Sequence, residues 1–253
     1  MSKFRLIARL DVKAPDLIKS VNLEGVRKLG DPAEFAKRYY SQGIDEILYM
    51  DVVASLYRRN SLADLVYSTT QDVFVPITVG GGIRSLQDVE AMMRSGADKV
   101  AVNTAAIQRP DLIREIARTF GSQCIVLSIE AKSIGPDRWE AYVDNGREKT
   151  GKDAIEWARE AVDLGAGEVL VTSVDREGTR KGFDIALMKA VSGAVPVPVI
   201  ASGGMGKPDH LIDIHDQAAA DAVAIADVLH YNRLSLDDIR QAALAGGVEV
   251  RTP

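Results

Sequence analysis

Two stretches of this chain nearly repeat one another. Residues 79–83 read Val-Gly-Gly-Gly-Ile and are followed by residues 97–104, Ala-Asp-Lys-Val-Ala-Val-Asn-Thr. Residues 201–205 read Ala-Ser-Gly-Gly-Met and are followed by residues 220–227, Ala-Asp-Ala-Val-Ala-Ile-Ala-Asp. Gly81 and Gly203 lie 122 residues apart, about half of the 253-residue chain, and a period of this length is too long for a solenoid repeat. The pattern predicts a duplicated half-domain, with halves at about 1–122 and 123–253.

Eight short apolar runs alternate with helical patterns. The predicted strands are 5–11, 47–51, 74–79, 98–102, 124–130, 168–172, 197–202 and 221–226. The predicted helices are 32–43, 59–70, 86–96, 110–119, 152–165, 184–193, 207–217 and 236–245. This alternation indicates a parallel sheet, and two groups of four units favour closure into a (βα)8 TIM barrel over an open doubly wound sheet. No linker interrupts the pattern, so residues 1–253 are predicted to form a single domain.

Composition narrows the class of protein. The net charge of −5 gives no attraction to nucleic acid or to anionic membranes. A single cysteine rules out an internal disulfide framework and is typical of a reducing cytoplasm. No apolar run is long enough to span a membrane. The three histidines lack metal-ligand spacing, so we expect a cytoplasmic protein without a metal or other cofactor.

Two segments depart from the strand–helix rhythm. Residues 12–31 are predicted to form a long polar loop, which includes Lys19 as a candidate contact to a phosphorylated substrate. Within residues 133–149, side chains of different polarity alternate as in a strand before Asn145-Gly146. This dipeptide is a signal for a two-residue hairpin turn. Both segments follow a strand, so both should lie at the C-terminal face, where barrel enzymes have their active sites.

Asp11 and Glu130 end predicted strands on opposite sides of the barrel. We expect their side chains to converge over the C-terminal mouth as a general acid and a general base. The alternative is that both are ordinary solvated carboxylates at strand ends. Their equivalent placement in the two halves favours the catalytic interpretation.

Glycine turns and short polar side chains predict two phosphate sites. Gly82 allows the backbone to approach a ligand closely, and Asn103 and Thr104 add side-chain donors beside it. The second half offers an equivalent set, namely Gly178, Gly204 and Asp227.

Four charged residues stand at or near strand starts, where the N-terminal face of a barrel forms. They are Arg5, Glu46, Lys99 and Glu168. Alternating charge at this place can close into a ring of salt bridges. On the residues alone, a plug that only stabilises the bottom face is the simpler interpretation.

These motifs together resemble the HisF family, the cyclase subunit of imidazole glycerol phosphate synthase. The resemblance covers essentially the whole chain. It is carried by residues 8–13, 80–82, 96–100, 103–106, 120–123, 165–168, 172–173, 176, 178–179 and 201–204. It implies that a HisH-like glutaminase docks at the N-terminal face, with Asp98 in the interface, and that ammonia crosses the barrel to the opposite mouth. It also implies that Arg5, Glu46, Lys99 and Glu168 form the ammonia gate.

The mouth departs from the family pattern at several positions. Glu130 and Glu177 stand where the family has Asp, Asp227 replaces a phosphate-binding serine, and Arg9 replaces a small residue. Asp227 should repel a phosphate and should cap the short helix that follows it, taking amide groups that a phosphate would otherwise accept.

Three functional interpretations follow from the resemblance. The first is a synthase subunit that delivers ammonia to a sugar or nucleotide-sugar in surface-polysaccharide biosynthesis, as in acetamidino-sugar formation. The second is the cyclase subunit of histidine biosynthesis. The third is a non-catalytic conduit that passes ammonia to a separate sugar amidotransferase or synthetase. The altered residues at the mouth favour the first interpretation.

Overall fold

The chain folds as a closed barrel of parallel strands surrounded by helices. The computed structural model describes residues 3–54 and 62–252. With strands numbered in chain order, the eight barrel strands are β1 (Arg5–Lys13), β4 (Glu46–Asp51), β5 (Ile77–Gly80), β6 (Lys99–Val102), β7 (Ile125–Gly135), β10 (Glu168–Ser173), β11 (Val199–Ser202) and β12 (Ala222–Ile225). Parallel pairing of β1 with β12, where Arg5 lies opposite Ala222, closes the barrel. The predicted (βα)8 TIM barrel is confirmed, and the open-sheet alternative is wrong.

Helices follow the barrel strands. They are α1 (Pro32–Ser41), α2 (Ala63–Thr69), α3 (Leu86–Arg94), α4 (Thr104–Gln108), α5 (Asp111–Phe120), α6 (Ala154–Leu164), α7 (Ile185–Ser192), α8 (Asp209–Ala218), α9 (Asp227–His230) and α10 (Leu236–Ala245). The short helices α4 and α9 follow β6 and β12, at equivalent points of the two halves. Of the helix predicted over 59–70, residues 59–61 lie outside the described residues. No helix in the described ranges is long and apolar enough to cross a membrane.

Local sequence sets where several helices begin. Asp31 accepts a hydrogen bond from the Ala33 amide at 2.7 Å while Pro32 opens α1 with a preset φ. Ser235 and Asp238 form a reciprocal capping box at the start of α10. These caps satisfy amide groups that the first turn of a helix leaves without partners.

The two segments that interrupt the rhythm are both antiparallel hairpins. Residues 12–31 were predicted as a polar loop, and this is wrong, because β2 (Asp16–Val21) and β3 (Glu24–Gly30) pair there. The predicted hairpin in 133–149 is confirmed as β8 (Arg138–Val143) and β9 (Glu148–Asp153). Its turn has four residues between the paired Val143 and Glu148, rather than two. Both hairpins extend the C-terminal face of the barrel.

The barrel interior changes character along its axis. Side chains alternate along a strand, so Arg5, Ile7, Arg9 and Asp11 of β1 follow one another on its inner face. The middle of the barrel is filled by an apolar cluster of Ile7, Leu48, Met50, Ala101, Val126, Leu170, Ile200, Ala222 and Ala224. A larger apolar layer lies between the strands and the helices. Charged groups are thereby confined to the two ends of the barrel interior.

Three aspartates anchor neighbouring strands at the N-terminal face. Each directly precedes a barrel strand and accepts a hydrogen bond from a backbone amide of an adjacent segment. The pairs are Asp45 with Leu6 at 2.7 Å, Asp98 with Ile77 at 2.8 Å and Asp221 with Val199 at 2.9 Å. Asp98 therefore has a structural contact in addition to its predicted place at a partner interface.

We expect Asp221→Ala to lower the free energy of unfolding by about 1–2 kcal/mol, because the buried Val199 amide loses its side-chain acceptor. Urea unfolding followed by circular dichroism measures this change. Asp213→Ala is the matched control, since Asp213 is exposed on α8 and should change stability by less than about 0.5 kcal/mol. Equal effects of the two substitutions would contradict the anchoring role.

Candidate active site

The C-terminal mouth brings Asp11 and Glu130 into one buried, charged region. Asp11 lies near the end of β1 and Glu130 lies on β7, and both carboxyls are buried. Arg9, also buried, carries a guanidinium close enough to interact electrostatically with both. Neither carboxylate is an ordinary solvated strand-end group, so the alternative offered by the sequence is wrong.

Asp11 is held in its ionised form. Its Oδ1 atom accepts a hydrogen bond from Arg9 Nε at 2.8 Å. Its Oδ2 atom is buried and has no hydrogen-bond partner among the described residues. Burial alone would raise the pKa of Asp11, but the charges of Arg9 and Lys19 outweigh burial and hold the pKa below its usual value.

The pKa of Glu130 is shifted in the opposite direction to that of Asp11. Its Oε2 atom accepts hydrogen bonds from the Gly146 amide at 2.8 Å and from Asn103 Nδ2 at 3.1 Å. Burial nevertheless raises the pKa of Glu130 to about 7, with Asp11 and Asp144 acting in the same direction. Two neighbouring carboxyls whose pKa values are driven apart are suited to act as a base and an acid near neutral pH.

A cavity of about 230 Å³ opens beside Glu130 and includes the first predicted phosphate site. Gly82, Asn103 and Thr104 all line it. The turn requires glycine, because a Cβ atom on Gly81 would lie 2.2 Å from the Asp51 carbonyl oxygen. The three residues predicted to bind phosphate are thus brought together.

The hairpin β8–β9 uses part of this site. Asn103 Nδ2 donates to Glu130 and, at 3.2 Å, to the carbonyl of Tyr142. Thr104 Oγ1 accepts from the Asp144 amide at 3.3 Å. The amide of Asn103, predicted as a phosphate donor, therefore orients Glu130 in this structure. Sequence reasoning missed the contacts of Tyr142 and Gly146, because the sequence of a hairpin turn does not show which part of the barrel the hairpin will pack against.

The second predicted phosphate site is nearly filled. Its cavity measures only about 20 Å³ and is lined by Lys19, Glu177, Gly178, Gly204 and Asp227, among others. Lys19 and Glu177 form a buried ion pair there. The charges of Glu177 and Asp11 outweigh burial and raise the pKa of Lys19, so its ammonium stays charged.

The side chain of Asp227 makes different contacts from those predicted. It is the first residue of α9, and its side chain makes no capping hydrogen bond, so the predicted cap is wrong. Its Oδ1 atom instead pairs with Arg233 Nε at 3.2 Å and lies 3.8 Å from Arg180 Nε. These two cations, which sequence reasoning missed, offset the carboxylate charge.

The four charged residues at the strand starts form a closed ring. Arg5 bonds to Glu46 at 2.7 Å and to Glu168 at 2.5 Å. Lys99 bonds to Glu46 at 3.2 Å and to Glu168 at 2.9 Å. A cavity of about 400 Å³ lies at the same face and includes Arg5 and Glu46 in its lining.

No group in the described ranges brings together three histidine, cysteine, aspartate or glutamate side chains able to hold a metal ion. The buried histidine at the mouth, His230, bonds through Nδ1 to the Tyr39 hydroxyl at 2.6 Å. Burial lowers the pKa of His230 to about 3, so this ring is neutral.

Two comparisons with known proteins show the family to which this chain belongs. A family model described as "Histidine biosynthesis protein" matches residues 5–235. The imidazole glycerol phosphate synthase subunit HisF of Legionella pneumophila is 63% identical over 207 residues, which make up 82% of this chain and 98% of that protein. The chain therefore belongs to the HisF family of histidine biosynthesis proteins and is an enzyme subunit of the imidazole glycerol phosphate synthase type.

Proposed function

We propose that this chain is the cyclase subunit of an imidazole glycerol phosphate synthase. Ammonia from a glutaminase subunit enters at the N-terminal face and reacts with a phosphorylated acceptor at the C-terminal mouth. The observation that carries the proposal is the pairing of two features in one barrel. A closed ring of ion pairs lies at one end of the barrel. Two carboxyls, one with a lowered pKa and one with a raised pKa, lie at the other end. The identity with the Legionella HisF subunit supports the histidine-biosynthesis acceptor.

The barrel interior suits the transfer of neutral ammonia. The apolar cluster in the middle would strongly disfavour an ammonium ion, whereas ammonia carries no charge to desolvate. The ring Arg5–Glu46–Lys99–Glu168 is the gate, and Lys99 is the cation that opens it, because its ammonium group is carried on a flexible stem and can leave the two carboxylates. The glutaminase docks over the adjoining cavity, with Asp98 exposed at the same face.

The carboxyl pair supplies acid–base catalysis at the mouth. Asp11, ionised and fixed by Arg9, takes a proton from the attacking nitrogen or from the acceptor. Glu130, with a pKa near 7, is protonated in part of the molecules and donates a proton to the leaving group. The site at Gly82 and Thr104 holds one phosphate of the acceptor.

The charges around the second site support a second phosphate. Asp227 lies between Arg180 and Arg233, so this group has a net charge of +1, from one carboxylate and two guanidiniums. The expected repulsion of phosphate by Asp227 is therefore largely offset. Either arginine can turn from Asp227 to a phosphate oxygen, since both are partly exposed.

A second candidate keeps the ammonia route but changes the acceptor. The buried pair Lys19–Glu177 and the small volume of the second cavity favour an acceptor with an uncharged second end, such as a sugar or nucleotide-sugar. In surface-polysaccharide biosynthesis such a barrel would act with a separate sugar amidotransferase, as a catalyst or as a conduit for ammonia.

The resemblance to the HisF family implies a substrate with a phosphate at each end. Turnover of this bisphosphate substrate with an ammonium salt separates the two candidates. For the cyclase, we expect wild-type turnover, and we expect Asp227→Ser to change KM by less than about tenfold, because the arginines remain. Asp213→Ser is the matched surface control. No wild-type turnover, together with activity gained in a Glu130→Asp, Asp227→Ser double variant, would favour the changed acceptor.

Lys99→Met tests the gate. We expect product formed per glutamine hydrolysed to fall roughly five- to hundredfold, while activity with added ammonium is retained, because coupling between the two sites is lost. Both rates are measured in the complex with the glutaminase. Lys189→Met serves as the control, because Lys189 is exposed on α7. If Lys99→Met leaves the coupling unchanged, the ring only stabilises the bottom face.

The raised pKa of Glu130 makes stability depend on pH. Between the ordinary pKa of 4.5 and the folded value of about 7, the native state binds more protons than the unfolded state, so stability falls as pH rises through this window. Glu130→Gln removes this contribution, so between pH 4 and pH 8 the free energy of unfolding of the variant should rise relative to that of the wild type by on the order of 3 kcal/mol. Urea unfolding at both pH values measures the difference, and a pH-independent difference would contradict the assignment.

A further inference from the structure

Arg9 is a buried cation at the centre of the mouth. Its side chain is only 2% exposed and stands above the apolar cluster of the barrel interior. Nε donates to Asp11 at 2.8 Å, and Nη1 donates to Thr172 Oγ1 at 2.7 Å and to Ser202 Oγ at 3.1 Å. These acceptors lie on β1, β10 and β11, so the guanidinium is fixed from three strands.

The hydrogen bonds of Arg9 leave one nitrogen unused. A guanidinium has five N–H donors, of which Nε carries one and each Nη carries two. Three donors are occupied by Asp11, Thr172 and Ser202, and Nη2 makes no hydrogen bond to any described residue. An unpaired donor beside a cavity favours a ligand that supplies an oxygen atom.

The position of Arg9 shows which part of a ligand it would meet. Arg9 lines the cavity that includes Gly82 and Thr104, and it also lines the cavity that includes Gly178 and Gly204. No other residue of the described ranges lines both of these cavities. A ligand extending from the first phosphate site towards the second must therefore pass the guanidinium.

We propose that Arg9 is a substrate-contacting residue whose Nη2 binds a carbonyl, hydroxyl or anionic oxygen in the middle part of a phosphorylated acceptor. The proposal rests on the proposed function only in assuming an acceptor with a phosphate at Gly82 and Thr104. Arg9 would thereby select acceptors that carry an oxygen between their two ends. The same guanidinium holds Asp11 in place, so substrate binding and the ionised carboxylate are connected through one side chain.

Binding of two simple probes tests this role without turnover. Inorganic phosphate can occupy a phosphate site but carries no group that extends from the first site, whereas ribose 5-phosphate adds sugar oxygens that extend from that site towards Arg9. Arg9→Lys keeps the positive charge but loses the fork of donors. By calorimetry, we expect this variant to bind ribose 5-phosphate about tenfold or more weakly than the wild type and to bind inorganic phosphate with unchanged affinity.

Arg240→Lys is the matched control, because Arg240 is another buried arginine and bonds the backbone carbonyls of Gln42, Gly43 and Arg251, away from the mouth. It should leave both affinities unchanged. Unchanged binding of ribose 5-phosphate by Arg9→Lys would overturn the proposal. So would an equal loss for both probes, since that indicates a general effect of charge or folding.

A measurement on the wild-type protein avoids any folding defect of the variant. In nitrogen-15 spectra of the arginine side chains, the Nη2 signal of Arg9 should shift on addition of ribose 5-phosphate and stay in place with inorganic phosphate. No shift with either probe would overturn the contact. A protein that passes these tests yet fails to turn over the bisphosphate substrate would contradict the proposed cyclase function while leaving the role of Arg9 intact.

Discussion

The pairing of β1 with β12 is the constraint on which the rest of the structure depends. It joins the first strand to the last, with Arg5 opposite Ala222 and Ala8 opposite Ile225. The parallel direction of the strands places all strand starts at one face, and closure joins them into a ring. Glu46 and Glu168 consequently share the cations Arg5 and Lys99, although 122 residues separate the two carboxylates. The buried polar groups at the mouth are brought together by the same closure.

Alternate side chains of β1 face the barrel axis, and the charged ones lie at the two ends of the barrel. Arg5 joins the N-terminal ring, Ile7 joins the apolar cluster, and Arg9 and Asp11 form an ion pair at the mouth. Burying a charge is tolerated only where a partner compensates for lost hydration. Glu130 has no direct ion-pair partner among the described residues, and burial raises its pKa, whereas Asp11 is paired with Arg9 and stays ionised. Arg9 bonds Asp11 directly and Lys19 adds a second positive charge, so the pKa of Asp11 is lowered, whereas burial of Glu130 outweighs the weaker effect of Arg9 on it.

Much of the fold and part of the site could be predicted from the sequence. The repeat of Gly81 at Gly203 indicates two equivalent halves, and strand periodicity then fixes which residues face the barrel axis. The pairing of Asp227 could not be predicted, because Arg180 and Arg233 lie outside regular strands and their positions depend on loop conformation. The hairpin β2–β3 was missed for a related reason, since its polar residues show little alternation of hydrophobicity.

The central claim is that Asp11 stays ionised while the buried Glu130 takes up a proton near neutral pH, and carboxyl carbon-13 NMR measures both pKa values most directly. In a titration of the wild-type protein, the Glu130 signal should move with a midpoint near pH 7, while the Asp11 signal should show an ionised carboxylate throughout that range. Titration of Glu130 near its ordinary value of 4.5, or of Asp11 above Glu130, would contradict the account.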